Sequence, residues 1–141
     1  MTLSMKPFFL ILALLTFSTT SWAESEDPAA AQAETGYRYF SLTPDITTNF
    51  HTNGDDLGFV RVSVDLMIEN PADVSIVEHN VPLIRDAIIE VLTEQNEAQI
   101  KSIAGREAIR LACLQKVNEL LLAEANKKVV TELLFTKYLY Q

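Results

Sequence analysis

From Val60 to Ile68 the chain alternates without a break: Val60, Val62, Val64, Leu66 and Ile68 are apolar, and Arg61, Ser63, Asp65 and Met67 fall between them. A period of two belongs to a pleated strand with one face on a core and the other facing solvent or a partner. Such a strand needs neighbours in a sheet and a second layer over its apolar face. Asn70-Pro71 ends the run. Upstream, Tyr37 to Leu42 reads as a first strand stopped by Thr43-Pro44, and Ile46 to Phe50 as a second. The break His51 to Asp56 contains Asn53-Gly54, a hairpin signal because both residues tolerate positive φ. Six residues exceed a two-residue turn, so the connection leaves the register open.

Helical periodicity follows. Asp73 is a candidate cap for a short turn through Val77. Asn80, with Pro82 in the next turn, marks another helix start. Val81, Ile84, Ile88, Val91 and Leu92 then recur at steps of three and four, while Glu78, Asp86, Glu90 and Glu94 fall away from that stripe. This is an amphipathic helix made to lie on a sheet. Ser102 caps a longer helix from Ile103 to about Ala125. Ile103, Cys113, Leu114, Val117, Leu120 and Leu121 spread over a broad arc that Leu111 and Leu122 widen. A helix this apolar has more than one side to bury, against the sheet and against another helix or another subunit. Asn126-Lys127-Lys128 closes it with positive charge where the helix dipole favours it. Val129, Leu133, Phe135 and Leu139 alternate with Glu132, Thr136 and Tyr138 in a last strand, and Leu134 and Tyr140 make its other face partly apolar too. The expected class is α+β: a mostly antiparallel sheet of three to four strands with two helices on one face, in the order β-β-β-α-α-β.

The chain begins differently. Lys6 precedes the apolar run Phe8 to Leu15, and Ser21-Trp22-Ala23 offers small residues at the −3 and −1 positions before Glu24. This pattern is a secretory signal peptide over residues 1–23. The alternative is a membrane anchor, but Pro7 to Ala23 is short for one and five of its residues are Ser or Thr. Residues 24–36, ESEDPAAAQAETG, hold four acids, no base and no large apolar side chain, the composition of a solvated linker. Residues 37–141 form the folded domain.

Little in that domain can do chemistry. The formal charge of −8 argues against binding nucleic acid, and one cysteine excludes an intrachain disulfide framework and a multi-cysteine zinc site. His51 and His79 stand in no metal-ligand spacing and read as solvated or capping residues. Asn53, Asp55 and Asp56 resemble half a calcium loop without its closing Glu. Cys113, among Leu111, Leu114 and Val117, reads as a small hydrophobe, or less simply as one half of an intermolecular disulfide. No nucleophile elbow, phosphate loop or dinucleotide fingerprint occurs. No catalytic residue, metal or cofactor is expected. Glu107, Arg110 and Asn118 lie on or near the apolar arc, and Glu107 and Arg110, three apart, can pair within the helix. The sharper reading sends Arg106 or Arg110 across to a neighbouring copy.

In order along the chain, Tyr39-Phe40-Ser41-Leu42 with Pro44, Asn49-Phe50, the alternating strand, His79 through Pro82-Leu83-Ile84-Arg85-Asp86, Gly105-Arg106-Glu107 with Arg110, Val117-Asn118 and Leu134-Phe135-Thr136-Lys137-Tyr138 up to Gln141 resemble the periplasmic domain of the FliL family of flagellar basal-body-associated proteins. The resemblance implies a non-enzymatic, stomatin/prohibitin-like domain that oligomerises in a ring and associates with the MotA/MotB stator to support torque and motility. It also implies a departure. Members of that family usually keep the N-terminal apolar segment as an inner-membrane anchor, whereas this segment reads as cleavable, which would make the chain a soluble periplasmic paralogue. The alternative function is a soluble periplasmic ligand- or protein-binding module unrelated to torque generation, a small ligand or lipid being taken between helices and sheet. Candidate residues for an oligomer or partner interface are Arg106, Arg110, Phe59, Met67, Tyr138 and Tyr140.

Overall fold

The computed structural model describes residues 36–54 and 56–141; the expected signal peptide, almost all of the acidic linker and Asp55 lie outside the described residues. The architecture is α+β. Three strands, β1 (Arg38–His51), β2 (Leu57–Ile68) and β3 (Val130–Tyr140), form one antiparallel sheet in the order β1-β2-β3. Between β2 and β3 come a single 3-10 turn (Pro71–Asp73) and four helices, α1 (Val74–His79), α2 (Val81–Thr93), α3 (Glu97–Lys101) and α4 (Ile103–Ala125).

The alternation along β2 is the axis of the core. Val60, Val62, Val64, Leu66 and Ile68 are all 0–1% exposed and face the helices. Phe59, Arg61, Ser63, Asp65 and Met67 point the other way, onto a face that carries no helix among the described residues. α2 packs against β1, α4 against β3, and the two helices against each other. The α2 stripe is buried through Ile84, Ile88, Val91 and Leu92, joined by Ala87.

The two N-terminal strands expected from the sequence are one strand. Leu42 pairs with Val64 and Ile46 with Val62, so β1 advances four residues while β2 advances two. A bulge over Thr43, Pro44 and Asp45 absorbs the excess. A proline on an edge strand at a bulge costs no ladder hydrogen bond, so Thr43-Pro44 bends the strand instead of stopping it. Leu42 and Ile46, on either side, stay buried at 2% and 1% exposed.

The ends of α4 are where the sequence places them. Ser102 accepts from the Gly105 N–H at 3.0 Å, and Asn126 closes the helix in the left-handed region (φ 55°). Asn80 differs: its side chain caps nothing at the start of α2, and its amide donates back to the Ile76 carbonyl at 2.9 Å, finishing α1. Asp73 likewise makes no capping bond and instead holds Lys127 at 2.5 Å, tying the start of α1 to the chain after α4. α3 is an addition to the elements expected from the sequence. It is a short helix opened by a capping box in which Asn96 and Gln99 serve each other's backbone N–H at 3.0 Å each, and it buries Ile100.

Candidate interaction surfaces

With its helices on one side, the domain presents three surfaces: the open sheet face, the outward side of α4, and the outer edge of β3. The open face is organised around Asp45, which the β1 bulge turns outward. Asp45 accepts from Ser63 Oγ at 2.7 Å, Arg61 Nε at 2.9 Å and Lys137 Nζ at 3.2 Å, so one carboxylate ties all three strands. The Ser63 hydrogen bond, then the Lys137 and Arg61 hydrogen bonds, lower its pKa to about 2. From the helix side, Arg85 of α2 donates to the Pro44 carbonyl at 2.6 Å and the Asp45 carbonyl at 3.4 Å. The bulge is therefore held from both faces.

On this face Phe59 and Met67 stand at opposite ends of β2, a separation of roughly 27 Å at ~3.4 Å per residue. They form two patches, not one. Phe59 is exposed together with Leu57 and Leu139, beside a shallow concavity of about 300 Å³ lined by Thr47, Arg61, Leu139 and Tyr140. Met67 lies between Tyr39 and Glu132, its cross-strand partners.

The other four candidates belong to the junction of α4 with β3. Arg106 stacks over the Tyr138 ring at 5.7 Å, and Lys101 over the Tyr140 ring at 5.9 Å. Phe135, Tyr138 and Tyr140 form a row with successive centroids 5.5 and 6.4 Å apart, and the Tyr138 hydroxyl donates to the Ile100 carbonyl at 3.2 Å. Burial pushes the Tyr138 phenol up to about 12. Arg110 is engaged within the chain: it grips Glu107 with two bonds of 2.7 and 2.9 Å, donates to the Leu133 carbonyl at 3.1 Å, and lies 3.5 Å from Glu132. Its bonds to Glu107 lower the pKa of that carboxyl. Asn118, one turn pair further on, bonds both backbone groups of Val130, accepting from its N–H at 3.2 Å and donating to its C=O at 2.7 Å. The polar residues on the apolar arc thus fasten α4 to β3.

The arc itself is divided. Ile109, Cys113, Val117 and Leu121 are buried, Leu114 and Leu120 half-buried, while Leu111 and Leu122 remain 50% and 46% exposed on the outward side. Ile103, at the start of the helix, is 80% exposed. Burial pushes the Cys113 thiol up to about 12, and the enclosed sulfur behaves as a hydrophobe with no route to an intermolecular bridge. Among the described residues no group of three or more His, Cys, Asp or Glu converges as a metal site, and no helix is long and apolar enough to cross a membrane.

Residues 39–141, which hold nearly the whole sheet and all four helices, match the family described as flagellar basal body-associated protein FliL. The flagellar protein FliL of Aquifex aeolicus (strain VF5) is 29% identical to the chain over 114 residues, covering 81% of this chain and 67% of that protein.

Proposed function

Because the chain belongs to the FliL family of flagellar basal body-associated proteins, we propose that it is a non-enzymatic accessory subunit of the flagellar motor that supports stator function and motility through self-association in the periplasm. The observation that carries this reading is the extent of the family match, which takes in the bulged β1, the one-sided sheet and the α4–β3 junction together. The surfaces suit a protein that works by contact. Leu111 and Leu122 on α4 and Phe59 and Leu139 on the open face offer exposed apolar area among the described residues, with Met67 half-buried beside them on the open face. In a ring built head to tail, one subunit's helix layer meets the next subunit's sheet face, the arrangement that lets a two-layer domain close on itself. Arg106, Tyr138 and Tyr140 stand at the rim of that contact. Arg110, held by Glu107 and Leu133, positions α4 and does not reach outward.

In this reading the mature chain begins at Glu24 and lies in the periplasm beside the inner membrane; retention of residues 7–23 would make it a single-pass protein. A test is fractionation of host cells expressing the full chain with a C-terminal tag. It should appear with basal bodies and stator components, with Glu24 at its N-terminus. Recovery entirely in the free periplasmic extract, with no basal-body component, would overturn the motor assignment.

A further inference from the structure

A sheet of three strands has two outer edges, and the described residues interrupt or cover part of each. On β1 the edge is broken by the bulge, by Pro44, which has no N–H, and by Arg85, which takes the Pro44 and Asp45 carbonyls. On β3 the first half is covered by α4 side chains: Asn118 bonds both the N–H and the C=O of Val130, and Arg110 bonds the C=O of Leu133. These are standard ways of blunting a strand edge. Among the described residues the second half of β3 has no such cover. Phe59 and Gln141 exchange both of their backbone hydrogen bonds at 3.0 Å, and Arg61 pairs with Leu139 two residues on. Hydrogen-bonded pairs alternate along an antiparallel ladder, so the N–H and C=O of Tyr138 and Tyr140 point away from β2. Among the described residues none bonds them.

The charge around this open stretch is opposite to that of the whole molecule. The chain carries a formal −8, yet Leu133 to Gln141 contains no acidic side chain. Lys137 lies on its open-face side, and Arg106 and Lys101 lie over the Tyr138 and Tyr140 rings on its helix side. Glu97 partly neutralises Lys101, and Asp45 does the same for Lys137. Arg106 makes no ion pair among the described residues. Two copies of β3 set edge to edge would bring these cations together, which disfavours self-pairing.

We propose that the Tyr138–Tyr140 edge is a strand-addition site for an extended acidic segment of a partner protein. The segment's backbone completes the sheet, and its carboxylates meet Arg106, Lys101 and Lys137. This stands on the edge geometry and not on the motor assignment, so either can fail without the other.

The experiment uses the full chain and two synthetic peptides of alternating residues, Glu-Val and Lys-Val, with amide hydrogen exchange read residue by residue. In the free chain the Tyr138 and Tyr140 amides exchange fast while that of Leu139, bonded to β2, is protected. The Glu-Val peptide should slow Tyr138 and Tyr140 by about tenfold or more, the Lys-Val peptide should not, and the effect should fall with salt. Tyr140→Pro removes an outward N–H without touching the ladder and should weaken the peptide's effect severalfold beyond Tyr140→Ala, which removes the ring alone. Arg106→Glu should weaken it with folding intact. Unchanged exchange with the Glu-Val peptide, equal protection by both peptides, or protection that grows with protein concentration alone (a second copy on the edge) would each overturn the proposal.

Discussion

Cys113, Tyr138 and Asp45 are the side chains whose titration the fold alters most plainly, and Asp45 and Cys113 each give a residue-scale prediction. The Asp45 carboxyl is held near 2 by Ser63, Lys137 and Arg61. A folded pKa below the ordinary carboxylate value of about 4 means the charged form contributes stability above that value, and the contribution is lost as pH falls from about 4 toward 2. Asp45→Asn should therefore flatten the acid limb between those values when unfolding is followed by circular dichroism; identical limbs for both proteins would count against the three-strand tether. For Cys113 the enclosed thiol should resist an alkylating reagent at pH 8 in the native chain and react after denaturation. Rapid native labelling would show that the α4 stripe opens. The sequence already placed Cys113 on an apolar stripe, so its inertness was legible. Asp45 was not, because nothing local says that a bulge will turn it toward Lys137, 92 residues away.

At the scale of elements, the outcome turns on which signals are local. The period-two run of β2, the stripe of α2 and the Ser102 to Asn126 bounds of α4 are properties of neighbouring residues, and all were readable. The merged β1 was not, since a proline reads as a stop until an edge position and a bulge make its missing N–H harmless. The capping box at Asn96 and Gln99 was a readable sign of α3 that five residues of helix made easy to pass over. Gly105 shows how a close approach reverses an ordinary expectation. In a helix interior Gly→Ala usually gains about 1 kcal/mol, but a Cβ here would sit 2.1 Å from the Gln99 carbonyl oxygen. Gly105→Ala should lower the urea midpoint, and a raised midpoint would show that α3 yields freely. Asn118→Ala strands both backbone groups of Val130, which is 4% exposed. It should cost about 2–4 kcal/mol at ~1–2 per abandoned group, seen as a lower midpoint at unchanged slope.

The described domain has two layers, with its helices on one side of the sheet. The six interface candidates separate into the α4–β3 junction and two distant ends of the open face, a division that spacing along one chain could not reveal. Self-association should appear in sedimentation of the full chain as a weight that rises with concentration. Leu111→Glu with Leu122→Glu should suppress it while leaving the melting temperature within about 3 °C, since both side chains are already half in water. A constant monomer weight in the unsubstituted chain would remove the assembly from the account. The most direct measurement of the central claim, that this domain serves the motor by contact alone, is swimming in soft and viscous agar by a strain lacking the chain but still building filaments. The account predicts reduced spreading, most marked in viscous medium and restored by the intact chain. Spreading equal to the parent strain in both media would contradict it.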